Sequence, residues 1–369
     1  MRLLQKECGK CLRHPFLWIV CIAFGLFQFL SIYTYVGNAG MRKELRQMHV
    51  AVTDEETASP EYESAYADYK KTYGRMYDTL DMRKILEQKE KKSGYEPQGV
   101  WGSWIVRNYD RLQKRVEQIR KTGEGTYDFY PGSWYKLHTT LYGKLWKKLI
   151  LQTAVLMILS MLYLMDYERI YKTQDLVLAT TTGKKMMEKK MLAGTLCGLF
   201  YAGLLTVFTL LVFFAAVPFQ NLWHVPVAAC MVAEPRLQMM YPFVTFWRLE
   251  QWRYLLLALV VLVGLLGIIA AVTAAVQLFL QNSYFSFAVL GLLFMGAYLL
   301  AYVQMGNVWD LIREFFNPTV LYATSGGWFM ENDLCLSFAG NEFAVLFCSG
   351  TAAVCLMAVG KRRYHRLEV

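Results

Sequence analysis

Apolar runs free of charge recur along the chain at Phe16–Val36, Met191–Val217, Tyr254–Leu280, Ser283–Val303 and Phe343–Val359. Each is near the ~20 residues a helix needs to cross roughly 30 Å of hydrocarbon. A shorter sixth run, Leu149–Met165, follows Trp146, Lys147 and Lys148. An aromatic ring and two long cations suit an interfacial anchor, with the lysine stems on apolar surface and their heads in water. The pattern predicts an all-α, polytopic membrane protein with six transmembrane helices. The first spans 16–37 and the second 146–165; helices three to six lie in 191–360, with loops at 218–253 and 304–342.

The polar intervals carry patterns of their own. In the arm 1–15, "MRLLQKECGKCLRHPF" sets Leu3, Leu4, Cys8, Cys11 and Leu12 on one side of a helix that Pro15 ends. That suits an amphipathic helix lying in the membrane interface; a solvated basic tail is the alternative. Within 38–145, Tyr62, Tyr66, Tyr69, Tyr73, Met76 and Leu80 alternate spacings of four and three. Trp101, Ile105, Tyr109, Leu112, Val116 and Ile119 do the same, and Gly94, Pro97 and Gly99 lie between the two stripes. Such stripes mark helices that face a partner. They predict a large helical-hairpin insertion, its tyrosines forming a packing seam or a ligand surface. Loop 218–253 is aromatic and broken by Pro226, Pro235 and Pro242, and 304–342 is cut by Pro318 and Gly326–Gly327. Irregular backbone at Asn317–Pro318 is a turn or a gate, and it can re-enter the bilayer only where protein shields it.

Composition and charge add orientation. Of 369 residues, 55% are hydrophobic and only 18% charged, well short of the roughly 25% usual in soluble chains. The net charge of +10 would suggest nucleic acid in a soluble protein, but here the cations cluster at span ends. Arg2, Lys6, Lys10 and Arg13 precede the first span. Arg169, Lys172, Lys184, Lys185, Lys189 and Lys190 follow the second, and Lys361, Arg362, Arg363 and Arg366 lie in the tail 361–369. By the positive-inside bias these three regions and both termini are cytoplasmic, and the insertion 38–145 is extracytoplasmic. No nucleic-acid partner is needed to explain the charge; the lipid bilayer is partner enough. The first apolar run is too long for a secretory leader and is read as a retained helix.

Cys21, Cys197, Cys348 and Cys355 lie inside spans as small hydrophobes. The pair Cys8 and Cys11 lacks a second pair to complete a zinc site. Cys230 and Cys335 fall in outward loops, joined as a disulfide or left as two thiols. The histidines are scattered, so no metal is expected. The spans themselves read as free of charge, which argues against an ion-driven transporter. Gln28, Gln152, Thr153, Thr206, Thr209 and Thr273 are their polar residues, expected to bond to backbone or across helices. Gly194, Gly198 and Gly203 suit close helix packing or a dimer face.

One segment does not fit a simple connector. Ten of the 25 residues from Asp166 to Lys190 are charged, and the segment reads "DYERIYKTQDLVLATTTGKKMMEKK" before the third span. Mixed charges, a short Leu/Thr-rich piece, a Gly break and a basic helix start describe a surface helix that a second protein can dock on. An acidic residue after the second span, then Leu and Thr, then Gly and a basic residue, then Lys and a span rich in small residues, resembles the permease subunits of type-2 ABC exporters. The matching residues are Glu168, Leu176, Leu178, Thr181, Gly183, Lys184, Lys190 and Gly194.

The resemblance implies a coupling segment at 166–190 that contacts a separate ABC ATPase subunit, and a homodimer or heterodimer with a second permease. It also implies residence in a bacterial plasma membrane and export of a substrate such as a peptide antibiotic, a lipid-like molecule or an ion. The sequence contains no G-x-x-x-x-G-K-[ST] phosphate loop, so ATP belongs on the partner and this chain is expected to carry no cofactor and no enzymatic site. A non-transporting sensor or scaffold, whose hairpin binds an envelope partner, is the alternative.

Overall fold

The computed structural model describes residues 2–37, 42, 64, 67, 71, 76–93, 99–125, 137–173, 183–217, 219, 222–231, 244–303, 308–331 and 338–367. Besides two short helical turns, Tyr167–Ile170 and Val227–Met231, eleven α-helices organise these residues. They are α1 (Arg2–Leu12), α2 (Pro15–Val36), α3 (Met82–Ser93), α4 (Gly99–Thr122), α5 (Trp146–Met165), α6 (Gly183–Ala216), α7 (Gln251–Leu280), α8 (Ser283–Ala301), α9 (Val308–Phe316), α10 (Thr319–Ala323) and α11 (Asn341–Leu367). Among the described residues there are no strands, only isolated bridges between Pro226 and Glu250 and between Thr245 and Met330. Six helices are long and apolar enough to cross a membrane: α2, α5 with its lead-in, α6, α7, α8 and α11. The protein is an all-α polytopic membrane protein.

Helix α5 is apolar on every side, as a buried helix should be. Leu149, Leu156, Met157, Ser160, Met161 and Leu164 are sealed. It is wrapped by α1, α2, α6, α7 and α8. The α5–α6 crossing is close because Gly194 and Gly198 face Met161 and Met157. A Cβ on either glycine would lie 3.1 Å from the facing methionine Cα. Gly203 has nothing within 4 Å of such an atom. Two of the three glycines therefore pack inside this chain, and the third does not. Helix α2 and helix α8 show the opposite character: Ile19, Ile22, Leu26, Leu292, Met295 and Leu299 are exposed, which suits lipid-facing sides.

Most of the polar span residues named above pair as expected; among the described residues the buried Thr273 hydroxyl finds no hydrogen-bond partner. Gln28 Nε2 donates to Gln152 Oε1 at 2.8 Å, joining α2 to α5. Thr153, Thr206 and Thr209 donate to the carbonyls of Leu149, Ala202 and Leu205, one turn back.

Three boundaries differ from the sequence expectation. The second span begins earlier, because a π-helical turn, Thr139–Leu145, leads directly into α5. Its lysines are held by the chain: Lys148 bonds Ser31 Oγ at 3.0 Å and Lys144 lies 5.2 Å over Tyr35. The third span's helix also begins before 191: α6 starts at Gly183, so the basic helix start expected there runs unbroken into the span. In the insertion, the hairpin forms but its first arm is shifted. Met76–Leu80 is a turn rather than helix, because the Asp81 carboxylate caps the amides of Arg83 and Lys84. Helix α3 then presents Met82, Ile85 and Leu86 to Ile105, Tyr109, Leu112, Val116 and Ile119 of α4. The tyrosine stripe at 62–73 lies outside the described residues, as does any pairing of Cys230 with Cys335.

The hairpin is fastened to the loops beneath it. Ala228 and Val244 join its apolar cluster. Arg115 pairs with Glu124 at 2.7 Å and donates to the Thr245 carbonyl, and Lys89 of α3 pairs with the buried Glu331. Replacing Gly198 with Leu is expected to cost about 1–3 kcal/mol by overpacking the α5–α6 crossing. Gly203→Leu should change little, and melting of the two variants in lipid nanodiscs compares them directly.

Candidate functional site

Helix α5 ends at Asp166, whose carboxylate accepts from Ser283 Oγ at 2.8 Å and from the Ser283 amide at 3.4 Å. A carboxylate at the first turn of α8 meets the positive end of that helix. The chain then makes one turn, Tyr167–Ile170, closed by Thr173 N–H on the Glu168 carbonyl at 2.8 Å. This turn aims Glu168 back into the protein.

Glu168 is the centre of a buried network. It pairs with Lys10 of α1 at 3.2 Å and with Lys190 of α6, and Lys10 also holds Glu7 at 2.7 Å. Glu7, Glu168 and Lys190 are each at most 5% exposed. Lys10 Nζ sits 4.4 Å over the Tyr167 ring, a cation–π contact that adds to its hold. Two carboxylates and two ammonium groups cancel, as charge withdrawn from water must. The network ties the N-terminal arm, the end of α5 and the start of α6 into one body. Lys361 of α11 reaches Glu188 of α6 on the same side.

Of the residues the sequence singled out, Glu168 and Lys190 are thus brought into direct contact. Both are buried, so they hold the segment rather than present it. Gly183 and Lys184 are the first two residues of α6, whereas Leu176, Leu178 and Thr181 lie outside the described residues. The thiols of the arm pack as small hydrophobes: Cys11 and Cys197 are sealed, and Cys197 Sγ approaches the Cys8 carbonyl at 3.8 Å. Burial pushes the Cys8 thiol up to about 11, leaving it protonated and unreactive. Among the described residues no group of three His, Cys, Asp or Glu side chains is placed to hold a metal ion.

Asn317 and Pro318 form a stitched turn. Asn317 Nδ2 donates to the Ala297 carbonyl of α8 at 2.7 Å, while its Oδ1 accepts from Thr319 Oγ1 at 2.7 Å. Beyond α10, Gly326 abuts Gly143 of the π turn, where a Cβ would lie 3.0 Å from the Gly143 Cα. Trp328 Nε1 then donates to the Leu321 carbonyl at 2.9 Å. Phe329, at φ +61°, turns its amide onto Glu342 Oε1 at 2.6 Å.

Charge within the spans corrects the sequence reading. Lys190 and Glu342 both fall inside membrane-length helices and are buried. Asp310 and Glu314 are buried on α9, which packs on the helix that carries Glu342, and the Arg313 side chain is only 7% exposed. The signal was present in the sequence: Asp310, Arg313, Glu314 and Asn317 repeat at helical spacing, one polar face on a short segment. The spans are therefore not free of charge, and that ground against an ion-driven transporter falls.

No protein-family model, curated protein or solved structure matches the chain. Its two buried charge clusters, one beside α1 and one between α9 and α11, remain the features that ask for a function. Replacing Glu168 by Ala removes the carboxylate that the buried Lys190 pairs with, while Lys10 keeps Glu7. A loss of about 3–5 kcal/mol is expected. The Lys190→Met change made together with Glu168→Leu should cost much less than the sum of the two single changes, as a double-mutant melting cycle would reveal.

Proposed function

We propose that the chain is the permease subunit of an ABC exporter of the type-2 class, forming the membrane path for a substrate moved by a separate ATPase. The observation that carries this reading is the Glu7–Lys10–Glu168–Lys190 network. It joins both ends of the segment 166–190 to the N-terminal arm. A partner that pushes on this segment therefore moves α1, α5 and α6 together rather than bending a loose loop. The basic residues around the segment favour a cytoplasmic position, where nucleotide is present, and the sequence lacks a phosphate loop of its own. ATP would bind the partner subunit.

In this mechanism the ATPase closes on nucleotide and drives the segment sideways or upward. The rigid network passes that displacement to the start of α6 and the end of α5. These two helices are in close contact through Gly194 and Gly198, so they shift as a pair against α7 and α11. A second permease copy, identical or related, would supply the opposite wall of the path. The substrate class remains that of the resemblance: a peptide antibiotic, a lipid-like molecule or an ion.

A second reading has its own support. Hairpin α3–α4 is locked to loop 244–250 by Arg115, Glu124 and Arg248 and to loop 222–231 by the Tyr77 hydroxyl on the Ala228 carbonyl, a rigid platform suited to a sensor or scaffold that binds an envelope partner. Co-purification separates the two. Gly183→Leu with Lys184→Glu is expected to lower recovery of a co-expressed candidate ABC ATPase by about tenfold, equivalent to about 1.4 kcal/mol. Glu168→Ala should uncouple ATP hydrolysis from transport. Undiminished recovery and coupling in all these variants would discredit the docking role.

A further inference from the structure

Lys144, Lys147 and Lys148 crowd the start of α5, at the end of the bundle away from the N-terminal arm. Lys147 has a local role. Its Nζ donates to the Ala323 carbonyl at 3.4 Å and lies 5.3 Å over the Tyr322 ring, where a cation suits the C-terminal end of α10. Lys144 and Lys148 turn the other way, onto α2. Lys144 Nζ lies 5.2 Å and Lys148 Nζ 4.8 Å from the centre of one ring, that of Tyr35. Lys148 Nζ also lies 5.1 Å from the Phe27 ring centre and donates to Ser31 Oγ at 3.0 Å. Like charges one turn apart on a helix repel.

No acid on either element answers them. Neither 15–37 nor 137–165 contains an Asp or Glu. Among the described residues the contacts of both lysines are with aromatic rings and one hydroxyl. A third cation, Arg42, sits at the same end of α2, where its guanidinium would lie 3.5 Å from a Cβ on Gly37. The last carbonyls of α2 carry about half an elementary charge, too little to balance three cations. Further along both helices the surface turns apolar. Lys144, Lys148 and Leu151 run down one strip of α5 at spacings of four and three, and Leu151 is exposed. On α2, Phe27 and Leu30 are exposed as well. The buried Gln28–Gln152 bond joins the two helices at this level.

We propose that this face of α2 and α5 binds an anionic phospholipid from the leaflet on the hairpin side. Cations at the helix ends and exposed hydrocarbon beyond them match the two parts of such a lipid. Its phosphate lies between the ammonium groups of Lys144 and Lys148 and accepts a hydrogen bond from the Ser31 hydroxyl. An acyl chain runs along Phe27, Leu30 and Leu151. Basic pockets between membrane helices hold head groups in this manner. A second copy of the chain fits the face poorly, because a two-fold contact would set lysine against lysine. The site stands whether or not the chain is a permease.

The test is native mass spectrometry of the full chain, delipidated in detergent and titrated with phosphatidylglycerol or phosphatidylcholine. The unaltered chain is expected to prefer phosphatidylglycerol by about thirtyfold, the effect of two cations at a membrane surface. K144Q/K148Q should lose that preference, whereas K144R/K148R and K147Q should keep it. Equal binding of the two lipids by the unaltered chain would overturn the proposal even if K144Q/K148Q failed to fold. An undiminished preference in a folded K144Q/K148Q would also overturn it. So would a loss of the same size in K147Q, which would assign the effect to the whole lysine belt. Inorganic phosphate separates a lipid from a free anion: at the concentration of the lipid it should leave the phosphatidylglycerol adduct in place. Displacement of the adduct by that phosphate would overturn the lipid assignment, and a lipid-free dimer that K144Q/K148Q breaks would give the face to a second copy instead.

Discussion

Charge withdrawn from water must be cancelled where it lies, and that constraint shapes both ends of this helical bundle. At one end it draws α1, the turn after α5 and the first turns of α6 together, because Glu7, Lys10, Glu168 and Lys190 have nowhere else to find partners. At the other it places Lys89 of the hairpin on Glu331 and Arg115 on Glu124, so that the insertion folds down onto the loops. Between the two ends the apolar walls tolerate little charge. Among the polar groups there, Gln28 reaches Gln152 on the next helix, and Thr153, Thr206 and Thr209 bond within their own helices.

The network beside α1 pairs Glu7 and Glu168 with Lys10 and Lys190. Paired buried charge resists change, because removing either partner strands the other away from water, and the network is well suited to act as a rigid joint. Between α9 and α11, Arg313 lies 3.7 Å from Asp310, with Glu314 buried on the same helix.

Helix α5 is where the two ends meet. Its lead-in touches the Gly326 turn, its middle packs on α6 through Met157 and Met161, and its C-terminal end runs into the turn that delivers Glu168 to the network. A π-helical turn at Thr139–Leu145 lets the backbone come within reach of Gly326, where a Cβ would lie 3.0 Å from the Gly143 Cα. Aromatic rings of Tyr142, Tyr254 and His138 fill the space behind that turn, with centroids 4.6–4.9 Å apart. Burial pushes His138 down to about 3, so its ring stays neutral and packs as an aromatic.

Much of this was legible in the amino-acid order. Long uncharged runs define six spans, because hydrocarbon admits little else of that length. The stripe from Ile105 to Ile119 marks one arm of a hairpin, and the basic segment before Met191 marks a helix start. What no run or spacing discloses is the choice of partners. Glu168 and Lys190 read as surface groups in a charged connector, yet the turn after α5 folds them inward onto an arm more than 150 residues away. Met76 and Leu80 extend a plausible heptad, but the Asp81 cap ends it and hands the seam to Met82 and Ile85. Glu314 looks like one more loop acid until α9 packs on α11. Periodicity is a local property and survives in sequence; charge pairing and burial are set by which helices touch, and only the tertiary structure decides that.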